Sequence, residues 1–231
     1  MAILECINLS KCYGKVQALE SVNIRIEAGK VYGLLGPNGS GKSTLIKLAN
    51  GLLSPTDGEI RINGRKPSAE TKAEVAYLSD KPCLAPWMNV KQLMDFFGDF
   101  YADFRRERAE DMLQRLGISD KMRIKQMSKG TKEKVQLIMV MSRNASLYLL
   151  DEPIGGVDPA TRDYILSTII GNYNPDSAVV ISTHLIADVE QIPDEVIFIN
   201  GGKVVLQSSV DDIREQHGQS VDGYFREVFR C

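Results

Sequence analysis

The residues with the most chemical content lie in GLLGPNGSGKST, Gly33 to Thr44. Gly36 to Ser43 match the spacing GxxxxGK[ST], behind the apolar run KVYGLLG and ahead of TLIKLAN, a helical pattern closed by Gly51. A strand before and a helix after are the context a phosphate-binding loop needs. Glycines let backbone N–H groups turn inward around a polyphosphate, and the helix directs the positive end of its dipole at the same anion. Asn38, Gly39, Ser40, Gly41 and Thr44 belong to this cradle. Lys42 supplies a point charge for the β- and γ-phosphates, and the Ser43 hydroxyl can ligate Mg²⁺. A Gly-rich surface turn, the plain alternative, leaves the flanking strand and helix unexplained.

LYLLDEP ends a buried strand in Asp151 and Glu152. Two carboxylates at the carboxyl edge of a sheet suit Mg²⁺ binding by Asp151, through water, and general-base activation of water by Glu152. ISTHL puts His184 after another apolar strand, 32 positions beyond Glu152, where it could bond a γ-phosphate and the attacking water. A histidine after a strand can equally be structural. QMSKGTKEK offers Ser128 as the N-cap of an apolar helix, either as an ordinary cap or as an anion-binding terminus. Residues 121–134 hold six bases and one acid, Glu133, which is a solvated basic face or an attractor of phosphate. VAYLSDKPCL ends a strand in Asp80, which either caps a turn or faces the same chemistry as a metal ligand.

These groups need strand ends to hold them. ILECINL, SVNIRIEAG (Val22, Ile24 and Ile26 on one face) and GEIRINGRK (turn at Asn63-Gly64) read as short strands. KVYGLLG reads as a strand buried on both faces, and LYLLD, AVVIST and EVIFIN as further strands, the first two buried. INGGKVVLQ reads as a hairpin, and DPATRDYILSTII as a helix capped by Asp158 with Pro159 at its first position. Residues 88–117 put Val90, Leu93, Met94, Phe97, Tyr101 and Phe104 at helical spacings up to Gly117, and a second helix spans about Thr131 to Arg143. The pattern predicts an α/β protein with a doubly wound, mostly parallel sheet and a helical insertion.

The chain has 231 residues with 28 Lys and Arg against 30 Asp and Glu, a net charge of −2 that argues against wrapping nucleic acid. Cys6, Cys12, Cys83 and Cys231 show no CxxC pairing and read as reduced thiols. No apolar run approaches the roughly 20 residues that span a bilayer. The longest, VQLIMVMS, sits between Lys134 and Arg143, and MAILECINLS lacks the basic start of a signal peptide. The expectation is an intracellular protein that reaches a membrane only through a partner.

Taken together, these motifs resemble the ATP-binding cassette of an ABC transporter, over nearly the whole chain. The likeness implies a P-loop NTPase core (1–79 and 146–210) with an N-terminal antiparallel β subdomain, a helical subdomain (80–145) carrying the signature, and a C-terminal helical tail (211–231). Tyr13 in CYGKVQAL matches the aromatic that stacks on adenine, Ser128 to Thr131 fall at the signature, and GGVDP with Asp158 matches the D-loop. It further implies that two cassettes pair head to tail, as a homodimer here. ATP and Mg²⁺ then lie between Lys42 of one copy and Ser128, Lys129 and Gly130 of the other. Closure drives a separate transmembrane permease, with the cassette on the cytoplasmic face of the membrane, and hydrolysis at Glu152 and His184 resets it. The coupling surface is expected near PCLAPWMNV, with Trp87 as an anchor, unless Trp87 packs inside the insertion.

Two departures from the family pattern stand out. Lys129-Gly130-Thr131 replaces Gly-Gly-Gln, and Asp80 replaces the glutamine that senses γ-phosphate. YLSDKP with MSKGTKEK resembles bacterial exporter cassettes linked to GntR-type regulators, which handle antimicrobial or amphipathic peptides. A soluble ABC-type ATPase acting on ribosomes or DNA is the main rival, but it would carry two cassettes or a long coiled coil. A P-loop GTPase or kinase leaves the signature and His184 unexplained, and no NKxD appears. A non-hydrolysing interaction module does not need Lys42, Asp151, Glu152 and His184 together.

Overall fold

The computed structural model describes residues 2–155 and 157–229. Cys231, and Gly156 of GGVDP, lie outside the described residues. The elements run β1 (Ala2–Tyr13), β2 (Val16–Glu27), β3 (Val31–Leu35), α1 (Lys42–Ala49), β4 (Asp57–Ile62), α2 (Ala69–Glu74), β5 (Val75–Leu78), α3 (Val90–Phe100), α4 (Arg106–Arg115), α5 (Lys129–Met141), β6 (Leu147–Asp151), α6 (Pro159–Asn172), β7 (Ala178–Thr183), α7 (Ile186–Val189), β8 (Glu195–Asn200), β9 (Lys203–Ser209), α8 (Val210–His217) and α9 (Val221–Val228).

The strands form two sheets. A three-stranded antiparallel sheet has the order β2-β1-β4, and a six-stranded sheet has the order β5-β6-β7-β3-β8-β9, parallel except for the β8–β9 hairpin. The protein therefore has the expected α/β architecture, an N-terminal antiparallel sheet against a mostly parallel main sheet. β3, β6 and β7 are buried along their whole length, which is why their sequences are nearly continuous apolar runs. In β2 the alternation survives because only one face is covered: Val22, Ile24 and Ile26 are buried and the residues between them exposed.

The register of the main sheet decides where chemistry can occur. Leu35 pairs with Thr183, Leu78 with Leu150, and Asp151 with Ser182. The chain leaves β3, β5, β6 and β7 at one edge, so the segments after these strands converge there.

α3, α4 and α5 build a separate apolar cluster from Val90, Leu93, Met94, Ala109, Met112, Leu113, Val135, Ile138 and Met139. Here the sequence expectation of one long helix over 88–117 is corrected. α3 stops at Tyr101, and α4 begins at Arg106, because the intervening turn is tied to the end of α5. The Arg105 amide donates to Ser142 O at 2.7 Å, and the Asp103 carboxylate accepts from both Nε and Nη2 of Arg143, at 2.9 and 3.1 Å. Phe104 still reaches the Phe97 ring, with centroids 5.7 Å apart, but from the turn rather than from a helix. α5 starts at Lys129, two residues before the expected position, because Ser128 accepts from the Thr131 amide. Asp158 caps α6 in the same way with Pro159 in its first turn, as expected. α2 and α7, of six and four residues, are too short to leave a periodic signal.

Cys6, Cys12 and Cys83 are free thiols. Burial pushes the Cys6 thiol up to about 12, so it behaves as a small apolar core residue.

Candidate active site

The loop between β3 and α1 is shaped by what its glycines lack. A Cβ on Gly36 would collide with Ile199 O and come within 2.7 Å of Ser40 Oγ, and one on Gly41 would lie 2.6 Å from Ala18 O. Gly41 also has φ +111° and precedes α1 with no side-chain cap, which leaves the first-turn N–H groups of that helix available to an anion. Lys42 is buried and folds back over the loop, donating to Gly36 O at 2.7 Å and Pro37 O at 3.1 Å. Its ammonium lies 3.7 Å from Glu152 Oε1. Burial lowers the Lys42 pKa, and the Glu152 and Asp151 charges oppose that shift.

Asp151 is fully buried. Its Oδ1 accepts from Ser43 Oγ at 3.0 Å and from Ser182 Oγ at 2.7 Å, while Oδ2 has no partner. Burial raises its pKa, the two hydroxyl donors oppose that, and the Asp80 and Glu152 charges add to the rise. A buried carboxylate oxygen without a donor, beside a serine hydroxyl, could hold a cation. Among the described residues, no three His, Cys, Asp or Glu side chains form a metal-binding group.

Glu152 adopts φ +50°, uncommon for a non-glycine residue and costing on the order of 1–3 kcal/mol. The bend takes its side chain out of the line of β6. The Glu152 amide is held by Ser182 O and Ser182 Oγ, both at 3.1 Å, and the carboxylate meets His184 Nδ1. Asp80 lines the same cleft as Gly39 to Thr44 and Glu152, a space of about 300 Å³. The sheet register thus brings together the phosphate loop, Ser43, Asp80, Asp151, Glu152 and, through Glu152, His184. Asn38 and Ser40 also face this cleft.

Other residues from the sequence reading stand apart. Tyr13 is exposed at the β1–β2 turn with Lys11 Nζ 5.5 Å from its ring, and it does not line the cleft. Ser128 and Lys129 are exposed and Gly130 half-buried at the start of α5, outside the cleft around Lys42. Trp87 is 74% exposed, so the alternative that it packs inside the helical layer is wrong. Two residues were not foreseen. Ser182 holds both Asp151 and Glu152, and its signal was a hydroxyl inside an apolar strand two positions before His184. Gln136 is a buried amide within the apolar run of α5, and it bonds the segment around Asp80.

A phosphate loop, a buried carboxylate and a glutamate–histidine pair at one sheet edge, with an antiparallel β layer and a helical layer, define a P-loop ATPase of the cassette type. The chain belongs to the ABC transporter family, whose model matches residues 19–155, and it is an ATP-binding, ATP-hydrolysing subunit of such a transporter. It is 32% identical over 215 residues to the lantibiotic transport ATP-binding protein SrtF of Streptococcus pyogenes, covering 90% of this chain and 92% of that one. It is 31% identical over 222 residues to the SkfA peptide export ATP-binding protein SkfE of Bacillus subtilis, covering 94% and 93%. A solved ATP-binding subunit of an ABC transporter superposes with TM-score 0.89 at 29% identity, over 99% of this chain and 100% of that one. Cassettes of this family dimerise and pair with membrane-spanning permease components. Among the described residues of this chain, no helix is long and apolar enough to cross a membrane.

Proposed function

We propose that the chain powers export of peptides or other amphipathic compounds through a separate permease, as one of two identical cassettes on the cytoplasmic face of the membrane. Its likeness along nearly the full chain to SrtF and SkfE, whose names give lantibiotic transport and peptide export, supports the substrate class. The narrower likeness to GntR-linked exporter cassettes belongs to the same proposal.

The convergence of Lys42, Asp151 and the Glu152–His184 pair at one sheet edge carries the hydrolytic reading. Lys42 leaves its own loop carbonyls to bind the β- and γ-phosphates, while Tyr13 stacks on adenine. Asp151, Ser43 and Asp80 would hold Mg²⁺, which when bound neutralises charge on the phosphate oxygens. Glu152 takes a proton from the attacking water as its oxygen bonds to the γ-phosphorus and the bond to the bridging oxygen breaks. His184 orients that water and Glu152. Ser128, Lys129 and Gly130 serve the nucleotide of the partner cassette, consistent with their position outside this chain's own cleft.

The permease-facing surface is the exposed apolar patch of the helical layer. Trp87, Phe96 and Phe100 are exposed, and a groove of about 250 Å³ is lined by Leu52, Tyr77, Phe97 and Tyr101, the last two on the same stretch of chain as Phe96 and Phe100. Exposed aromatics of this size mark an interaction surface. Deleting the gene should raise sensitivity to an amphipathic antimicrobial peptide, and wild-type but not Glu152→Gln protein should restore tolerance. Restoration by Glu152→Gln overturns the hydrolytic reading, and unchanged sensitivity overturns the substrate class.

A further inference from the structure

Gln136 is the one polar side chain in the run Val135–Met141, and it is only 6% exposed. A buried amide is costly unless both its ends are bonded, and here both ends are used on one target. Its Oε1 accepts from the Cys83 amide at 3.0 Å, and its Nε2 donates to Ser79 Oγ at 3.2 Å. The Ser79 hydroxyl in turn donates to Lys81 O at 2.6 Å. The segment that follows β5 is therefore gripped on both sides of Asp80, one residue before it and three after. Asp80 itself is exposed. It borders both the phosphate-loop cleft and the smaller space beside it that is lined by Glu133, Gln136 and Glu152.

We propose that Gln136 is a positioning residue for ATP hydrolysis: it straps the Asp80 segment to α5 and so fixes the Asp80 carboxylate over the phosphate loop. The helix that makes this strap begins at Ser128–Gly130, about 12 Å away along its axis at 1.5 Å per residue. Asp80 of a chain's own cleft and the exposed end of α5 therefore move as one body. Further along, the segment is anchored by Leu84 and Met88 packing on the helical layer and by the Lys125 amide donating to Pro86 O at 3.2 Å, so the two bonds from Gln136 are the ones that flank Asp80 and hold it in place. This rests on the assignment of Asp80 to the nucleotide site made above.

The test uses the full-length chain with three substitutions. Gln136→Met keeps length, apolar volume and helix propensity while deleting both bonds. Ser79→Ala deletes one arm and disturbs the core least. Asp80→Ala removes the group being positioned. In Gln136→Met we expect kcat to fall about tenfold, as displacement of an active-site group does, with KM for ATP unchanged. Its Mg²⁺ midpoint should shift in the same direction as in Asp80→Ala, and Ser79→Ala should lie between it and wild type. Added to Asp80→Ala, Gln136→Met should have no further effect on kcat. A residue that only stabilises the fold would lower the melting temperature, leave the Mg²⁺ midpoint alone and act additively with Asp80→Ala. A lowered melting temperature is common to both readings, but an unmoved Mg²⁺ midpoint or additivity with Asp80→Ala overturns the strap, as does wild-type turnover in folded Gln136→Met. Should Gln136→Met not fold, wild-type turnover in Ser79→Ala overturns it. A silent Asp80→Ala removes the Asp80 assignment and the strap with it, whereas an impaired Asp80→Ala beside a silent Gln136→Met removes the strap alone.

Discussion

His184 Nδ1 lies 3.1 Å from one carboxylate oxygen of Glu152 and 3.0 Å from the other, so the imidazole faces the carboxylate squarely. A carboxylate oxygen accepts, so the Nδ1–H of the imidazole is the donor in this pair. The pairing depends on the sheet: Asp151 at the end of β6 is in register with Ser182 of β7, and each side chain sits just past that pair. Glu152 is also within 3.7 Å of Lys42, an ion pair that phosphate binding by Lys42, as proposed, would open.

Glu152→Gln should bind Mg-ATP, hydrolyse it about 100-fold more slowly, and accumulate as an ATP-bound dimer. His184→Ala should lose a comparable factor in kcat with little change in KM. Steady-state kinetics with sizing chromatography read both. Turnover near wild type in Glu152→Gln would show that Glu152 is not the base.

Lys42 is buried against Gly36 O and Pro37 O. Lys42→Ala should lower nucleotide affinity itself, seen by titration calorimetry. If binding holds and only hydrolysis falls, Lys42 acts on the transition state rather than on the bound phosphates.

Ser128 sits exposed at the start of α5, away from the cleft of its own chain. Ser128→Arg in a Glu152→Gln background should leave one ATP bound per monomer and remove the ATP-induced dimer. A persisting dimer on sizing chromatography excludes the role in trans.

Burial raises the Asp151 pKa from its ordinary value, so its charged form is held against the cost of burial. A carboxyl group with a raised folded pKa is most favourable to folding when protonated, and that contribution is lost as pH rises through the folded pKa. Asp151→Asn keeps an oxygen to accept from Ser43 and Ser182 without the charge. At neutral pH without nucleotide or Mg²⁺ it should melt higher than wild type, by about 2–4 °C per kcal/mol of relief, yet hydrolyse ATP far more slowly. A lower melting point under those conditions would mean the charge is already compensated.

Arg143 is 2% exposed and bonds Asp103, Val75 O (2.6 Å) and Ala73 O, with its guanidinium carbon 3.7 Å above the centre of the Tyr101 ring. Arg143→Met leaves those acceptors bare and should destabilise by about 3 kcal/mol, or roughly 6–12 °C in melting temperature. Differential scanning calorimetry checks it.

The phosphate loop, the acidic end of β6 and the caps of α5 and α6 were legible in the sequence because each is local. A glycine-rich turn between strand and helix, or a serine three residues before the amide it caps, is complete within a few positions. Buried strands were legible because burial on both faces leaves an apolar run. The joint presence of these motifs was enough to identify the family. Tertiary structure decided what depends on contacts between distant segments. Ser182 reaches Asp151 across 31 positions, Gln136 reaches Ser79 across 57, and Arg143 reaches Val75 across 68. Arg143 also explains the failed expectation at 88–117: helical spacing continued through Phe104, but the bonds from Arg143 to Asp103 hold that turn out of the helix. Asp80 shows the same division. Its sequence neighbours allow a turn cap or a site residue equally, and only the order β5-β6-β7-β3 lays it beside Ser43 and Glu152, because side chains at a sheet's edge meet by strand order, not by distance along the chain.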